Sequence, residues 1–165
     1  MISTKLFKNM LKGVAVSALA VLMSSASYAQ EVTLTLHHFL GPKSPSHKDF
    51  LAPWAKRIED ASEGRIKIEV FPSMSMGGKP GDLYGQARDG VADITWTLTG
   101  YTPGVFPRSE VFELPFVHQN SAAVTNQAIA EIFDEHLADD FTGIKPLLIH
   151  VHAGQAVHTV NRPIR

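Results

Sequence analysis

The feature that most constrains this chain is a hydrophobic period that switches back and forth along it. Residues 32–36 (Val, Thr, Leu, Thr, Leu) alternate with period two, the pattern of a half-buried strand. Phe50, Trp54, Ile58 and Ala61 then recur at helical spacing on one face, and Gly64 suits the end of that helix. Residues 65–71 return to period two: Ile66, Ile68 and Val70 face one way, Lys67 and Glu69 the other, and Pro72 stops the run. A short helix over 81–89 turns Leu83 and Ala87 inward and closes at Gly90. Residues 92–97 predict a third strand. Residues 121–140 predict a long helix buried along Ala128, Ile129, Ile132, Phe133, Leu137 and Phe141, and residues 146–152 a fourth strand. The order β-α-β-α-β-α-β predicts an α/β fold, a mostly parallel sheet flanked by helices.

The punctuation between these segments is equally local. Gly41, Pro42, Ser44 and Pro45 mark a loop, and Ser46 stands three residues before Asp49, as in a capping box. Pro53 removes one backbone donor inside the first helix and predicts a kink there. Residues 74–80 (Met-Ser-Met-Gly-Gly-Lys-Pro) and 100–108 read as loops. Ligands of open α/β sheets bind beyond the carboxyl ends of the strands. That rule selects 37–40, 71–78, 96–101 and 150–154 as the functional rim.

The first 29 residues follow a different logic. Lys5, Lys8 and Lys12 precede an apolar run over 13–23, and Ser24, Ser25, Ala26, Ser27, Tyr28 and Ala29 close it. A basic start, a short apolar stretch and a small-x-small ending are the parts of an export signal, with cleavage expected after Ala29. The apolar run falls well short of the ~20 residues that span a bilayer. Of the 15 Lys and Arg, three lie in this segment, whereas all 16 Asp and Glu follow it, which leaves residues 30–165 at net −4. An acidic, Cys-free exported chain fits a bacterial periplasm and no nucleic-acid surface.

Catalytic signatures are scarce. The chain has no Cys, no G-x-S-x-G elbow and no phosphate-binding G-x-x-x-x-G-K-[ST] loop. Gly77, Gly78 and Lys79 have the wrong spacing for a phosphate loop; they suit a tight turn whose backbone N–H groups approach a ligand. Histidine is the one unusual abundance, with eight. His37 and His38 end the first predicted strand, and His150 and His152 share a face of the last. These four could bind a metal through imidazole, although no acid lies near either pair in sequence. Hydrogen-bonded rim or core histidines are the default, and His47, His118, His136 and His158 read as structural or solvent-facing. Trp96 and Tyr101 suit either core packing or the aromatic wall of a cleft, with Thr97, Thr99 and the Gly100 backbone as polar partners. Phe112, Leu114, Pro115 and Phe116 read as a packed corner flanked by solvated Glu110 and Glu113.

Five pieces in order then carry a family resemblance. They are residues 64–73 (Gly-Arg-Ile-Lys-Ile-Glu-Val-Phe-Pro-Ser), the Met76-Gly77-Gly78 turn, 88–94 (Arg-Asp-Gly-Val-Ala-Asp-Ile), 100–104 (Gly-Tyr-Thr-Pro-Gly) and 112–116 (Phe-Glu-Leu-Pro-Phe). Behind an export signal, this series resembles the solute-binding protein of a tripartite ATP-independent periplasmic (TRAP) transporter, the DctP type. The resemblance runs from Val32 to Ile164 and covers about half of the family's length. It implies the first lobe of a two-lobed, type II-like periplasmic binding protein over 30–152, and the start of a crossing segment over 153–165. Family members clamp an organic-acid carboxylate with an Arg expected beyond Arg165. Ala156 and Phe39 stand where sialic-acid-binding relatives have an Arg and a polar residue, which suggests a less polar, aromatic or branched acid.

The resemblance therefore implies a periplasmic carrier, without cofactor or catalysis, that takes a small organic acid to membrane permease subunits. The binding residues expected in this lobe are His38, Phe39, Gly78, Trp96, Thr97, Tyr101 and His152. Phe39, Trp96 and Tyr101 supply apolar walls, Thr97 and His38 hydrogen bonds, Gly78 its backbone N–H, and His152 the hinge side. Two other readings stay open at this point. One is a carrier of a metal or metal complex through His37, His38, His150 and His152. The other is an exported hydrolase, for which no nucleophile–base pair is evident.

Overall fold

The computed structural model describes residues 30–114, 116–117, 121–152 and 159–160. The export signal, its cleavage point, Pro115, His118, Ala156, His158 and nearly all of the crossing segment lie outside the described residues.

Among the described residues three strands build one parallel sheet in the order β2-β1-β3. β1 (Val32–His38) is central. It pairs with β2 (Ile66–Phe71) from Val32↔Ile66 to His37↔Phe71, and with β3 (Ile94–Trp96) from Leu36↔Ile94 to His38↔Trp96. Among the described residues the α-helices α1 (Ala52–Ala61), α2 (Leu83–Arg88) and α3 (Ala122–Ile132) intervene or follow. Parallel neighbours need such crossovers, so the period switches in the sequence dictate this topology. The result is an α/β architecture, a parallel sheet with helices in the connections.

β3 is shorter than the predicted 92–97 strand for a local reason. The Asp93 carboxylate accepts from both the Thr35 backbone N–H and its hydroxyl, each at 2.8 Å. The Asp93 N–H returns a bond to the Thr35 hydroxyl at 3.0 Å. A side chain therefore replaces the ladder at the mouth of the β1–β3 pair.

The entry to α1 also departs from expectation. Ser46 does not cap it; the Ser44 hydroxyl accepts from the His47 N–H at 3.3 Å. The chain then makes a wide π turn over Ser46–Leu51 before α1 begins. Pro53 lacks an N–H and its ring crowds the carbonyl four residues back, and a wider turn relieves both effects.

Two apolar clusters close the core. Leu36, Leu51, Ala55, Leu83 and Ala92 are buried around the sheet, and Phe106, Ile129, Leu137 and Phe141 under the later helical segment. Phe106 joins α2 to that segment: its ring lies 4.9 Å from Tyr84, edge to face, and 5.0 Å from Phe141. The predicted helix over 121–140 forms as α3, a π turn (Phe133–Leu137) and a 3-10 turn (Ala138–Phe141) in succession. Ala128, expected inside, is exposed.

The fourth predicted strand does not form. Residues 146–152 pair with no strand among the described residues. The Asn126 side chain instead takes both backbone groups of Val151, accepting its N–H at 2.6 Å and donating to its C=O at 3.1 Å. Leu147 and Leu148 remain 65% and 61% exposed. The expected corner over 112–116 is also open, with Leu114 56% and Phe116 90% exposed.

Candidate functional site

Sheet order 2-1-3 has a meaning for ligands. The chain leaves β1 for one side, then crosses to the other, so the strand connections diverge at the carboxyl ends of β1 and β3. Open α/β sheets bind ligands in the crevice at such a switch point. Phe39 follows β1 there, and Trp96 ends β3.

These two rings meet. Phe39 and Trp96 lie parallel, 8° apart in plane with centroids 5.6 Å apart. Tyr101, on the 3-10 turn Thr99–Tyr101 after β3, sets its ring edge-on to Phe39 at 5.3 Å. His150 joins from the irregular segment after Phe141, nearly parallel to Trp96 at 17°, with the indole Nε1–H donating to its Nε2 at 3.3 Å. Phe39, Trp96 and His150 are half-buried and Tyr101 is exposed, so the cluster presents an aromatic face to the outside.

Buried histidines support this face from behind. His37 and His38, expected at the rim, belong to β1 and are fully buried. His38 Nε2 and His47 Nδ1 share a hydrogen bond at 2.9 Å, and the His38 ring stands edge-on to Trp96 at 6.4 Å. Burial pushes the His38 imidazolium down to about 4, helped by the neighbouring His47 and His37, so the ring is neutral near pH 7. His37 is a clamp. The Met76 N–H donates to its Nε2 at 3.3 Å, which leaves its proton on Nδ1, donated to Gln86 Oε1 at 2.6 Å. Gln86 Nε2 in turn donates to the Gly77 carbonyl at 3.1 Å. The loop after β2 is thus tied to β1 and α2 at once.

The remaining expected residues fall as follows. Gly78 sits in that loop at φ +82°, exposed, its N–H without a partner among the described residues. The Thr97 hydroxyl donates to the Pro80 carbonyl at 3.4 Å and so braces the turn before α2. His152 is exposed and does not share a strand face with His150, since no strand forms. The structure therefore gathers His38, Phe39, Trp96 and Tyr101 into one cluster, with His38 behind the face. Gly78 and Thr97 lie on its flanking turns.

Three contributors escaped the sequence reading. Glu113, read as solvated, accepts from the Gly100 N–H at 2.9 Å and from the Thr99 hydroxyl, which fixes the turn bearing Tyr101. A Cβ on Gly100 would collide with that carboxylate. Gln86 and Asn126 are the other two, through the bonds already described. Gln86 and Asn126 belong to no local motif, and the 112–116 piece that contains Glu113 says nothing of its bond to Gly100.

The same hydrogen bonds weigh against a metal. A ligating imidazole needs a free lone pair. His37 spends its lone pair on Met76 and His150 spends its own on Trp96. Among the described residues no three His, Cys, Asp or Glu converge on one point. Two concavities, of about 510 Å³ along Arg108, Phe112, Ile132 and His136 and about 220 Å³ along Phe133, Leu147 and Leu148, share no residue with the aromatic cluster.

Known proteins resemble this chain in the same region. Residues 36–165 match the family described as DctP, bacterial extracellular solute-binding protein, family 7. The Comamonas testosteroni protein named outer membrane transporter protein TsaT is 30% identical over 130 residues, which cover 79% of this chain and 38% of that protein. A marine-metagenome TRAP solute-binding protein specific for aromatic acid ligands, solved with 3-hydroxybenzoate, is 45% identical with a TM-score of 0.72, over 76% of this chain and 39% of its own. A TRAP solute-binding protein from Rhodoferax ferrireducens T118, solved with copurified benzoate, is 44% identical with a TM-score of 0.69, over 73% of this chain and 37% of its own. The chain thus spans less than half the length of the relatives it matches. The family match begins within the central strand and takes in every element that builds the aromatic cluster: this chain belongs to the DctP family of bacterial extracellular solute-binding proteins.

Proposed function

We propose that this chain supplies one wall of a periplasmic carrier for a small aromatic carboxylate, delivered to the membrane permease of a TRAP transporter. The observation that carries this reading is the Phe39–Trp96–Tyr101 face at the β1/β3 switch point. Rings prefer offset-parallel and edge-on neighbours, and each such pair adds about 1 kcal/mol beyond area burial. A benzene ring laid on this face finds both geometries ready-made. That two similar TRAP proteins were solved with 3-hydroxybenzoate and benzoate supports the same ligand class.

In this reading residues 1–29 are an export signal cleaved after Ala29, 30–152 form the first lobe, and 153–165 begin the crossing to a second lobe. That second lobe supplies the Arg that pairs with the carboxylate, because a buried carboxylate needs a charged, bidentate partner. Release and capture are hinge movements, selected by contacts that only the closed form makes. No reaction is catalysed.

Calorimetry on the protein expressed from its full reading frame tests the proposal. Benzoate and 3-hydroxybenzoate are expected to bind in the micromolar range or tighter, and succinate and sialic acid at least about a hundredfold more weakly. Tight binding of the aliphatic acids, with none of the aromatic ones, would refute it.

A further inference from the structure

The Trp96–His150 hydrogen bond fixes more than packing. An indole nitrogen can only donate. His150 Nε2 accepts its proton at 3.3 Å, so that nitrogen holds the lone pair. A neutral imidazole then has its single proton on Nδ1. His150 Nδ1 has no partner among the described residues, and the ring is half-buried beside the aromatic face. The segment that bears it is held as well, because Asn126 grips both backbone groups of the next residue, Val151. Trp96 thus offers a ring to the ligand on one side and sets the tautomer of a hydrogen-bond donor on the other.

We propose that His150 is a ligand-binding residue, donating from Nδ1–H to a carboxylate oxygen of the aromatic acid, and that Trp96 is the positioning residue that locks this tautomer. The inference rests on the aromatic-acid reading above. A donor set rigidly by a neighbour loses little freedom on binding, and a bond to an ionised oxygen is among the stronger hydrogen bonds. His150 cannot serve a metal in the same state, since its only lone pair is engaged.

Two measurements on the full-frame protein test this. Nitrogen-15 NMR at neutral pH is expected to show His150 protonated on Nδ1, the reverse of the tautomer imidazole favours in water, and Trp96→Phe to return it to the Nε2-protonated form. Calorimetry with benzoate compares His150→Asn, whose amide can place a donor near the Nδ1 position, with His150→Phe, which keeps a ring against Trp96 but has no donor. The expected result is affinity within about threefold of wild type for His150→Asn and a loss of tenfold or more for His150→Phe. If the ring only packs, the order reverses and the inference fails. It fails equally if His150 is protonated on Nε2 in the wild type, or if His150→Phe weakens 3-hydroxybenzoate but not benzoate, which would put the donor on the ring hydroxyl. Should the wild type bind neither acid, the aromatic-acid reading itself falls and takes this inference with it.

Discussion

His38 gathers several effects in one side chain. Its ring is fully buried, bonded to His47 and edge-on to Trp96, and its imidazolium is pushed down to about 4. In the unfolded chain the same group takes up its proton near 6.5. Between those two values the unfolded state binds more protons, so stability is complete above about pH 6.5 and drains away as the pH falls towards about 4. The urea midpoint of the wild type is therefore expected to fall more between about pH 7 and pH 4.5 than that of His38→Phe, whatever the variant's stability at pH 7. Parallel decline of the two would assign the acid sensitivity elsewhere. Gly78 offers a second residue-scale test. At φ +82° a side chain is strained, and its Cβ would lie 2.9 Å from Gln86 Nε2 and 3.0 Å from Asp82 Oδ2. Gly78→Ala should cost about 1–2 kcal/mol in a denaturant melt, because it strains the backbone and crowds the Gln86 amide that ties Gly77 to His37.

At the scale of elements, local pattern and distant partners divide the work. The strand read at 65–71 forms as Ile66–Phe71, because alternation alone places its faces. The strand alternating over 32–36 and ending in His37 and His38 forms as Val32–His38, and a network of partners from 47, 76 and 86 accommodates its two imidazoles inside. Residues 146–152 have strand composition, but a ladder needs a neighbour and Asn126 takes that place. The site divides in the same way. Phe39, Trp96 and Tyr101 are legible because strand ends and loop aromatics can be read from order alone. The roles of Glu113, Asn126 and Gln86 are not, since their partners lie 13, 25 and 49 positions away and no local pattern says that the two ends meet. Asn126→Ala is expected to leave α3 intact and to speed hydrogen exchange at the Val151 amide by tenfold or more, as read by NMR. Unchanged protection there would mean that the segment is held by something else.

The whole molecule sets the context for the exposed apolar surface. Leu147 and Leu148 stand outside any strand or helix, beside Ile129 and Phe133, and the chain spans less than two-fifths of the length of its similar solved structures. If a second lobe completes the cleft, residues 30–165 alone should bind benzoate at least a hundredfold more weakly than the full-frame protein, or self-associate through this apolar surface. Calorimetry and light scattering on both proteins check this, and equal affinities with a monomeric short chain would contradict it. The central claim is narrower: the ligand ring lies on the aromatic face at the β1/β3 switch point. A crystal structure of the full-frame protein with benzoate decides it. The expected result is a benzoate ring within about 4 Å of Phe39, Trp96 and Tyr101; a ring seated instead along Arg108, Phe112 and His136, with the aromatic face empty, would contradict the account.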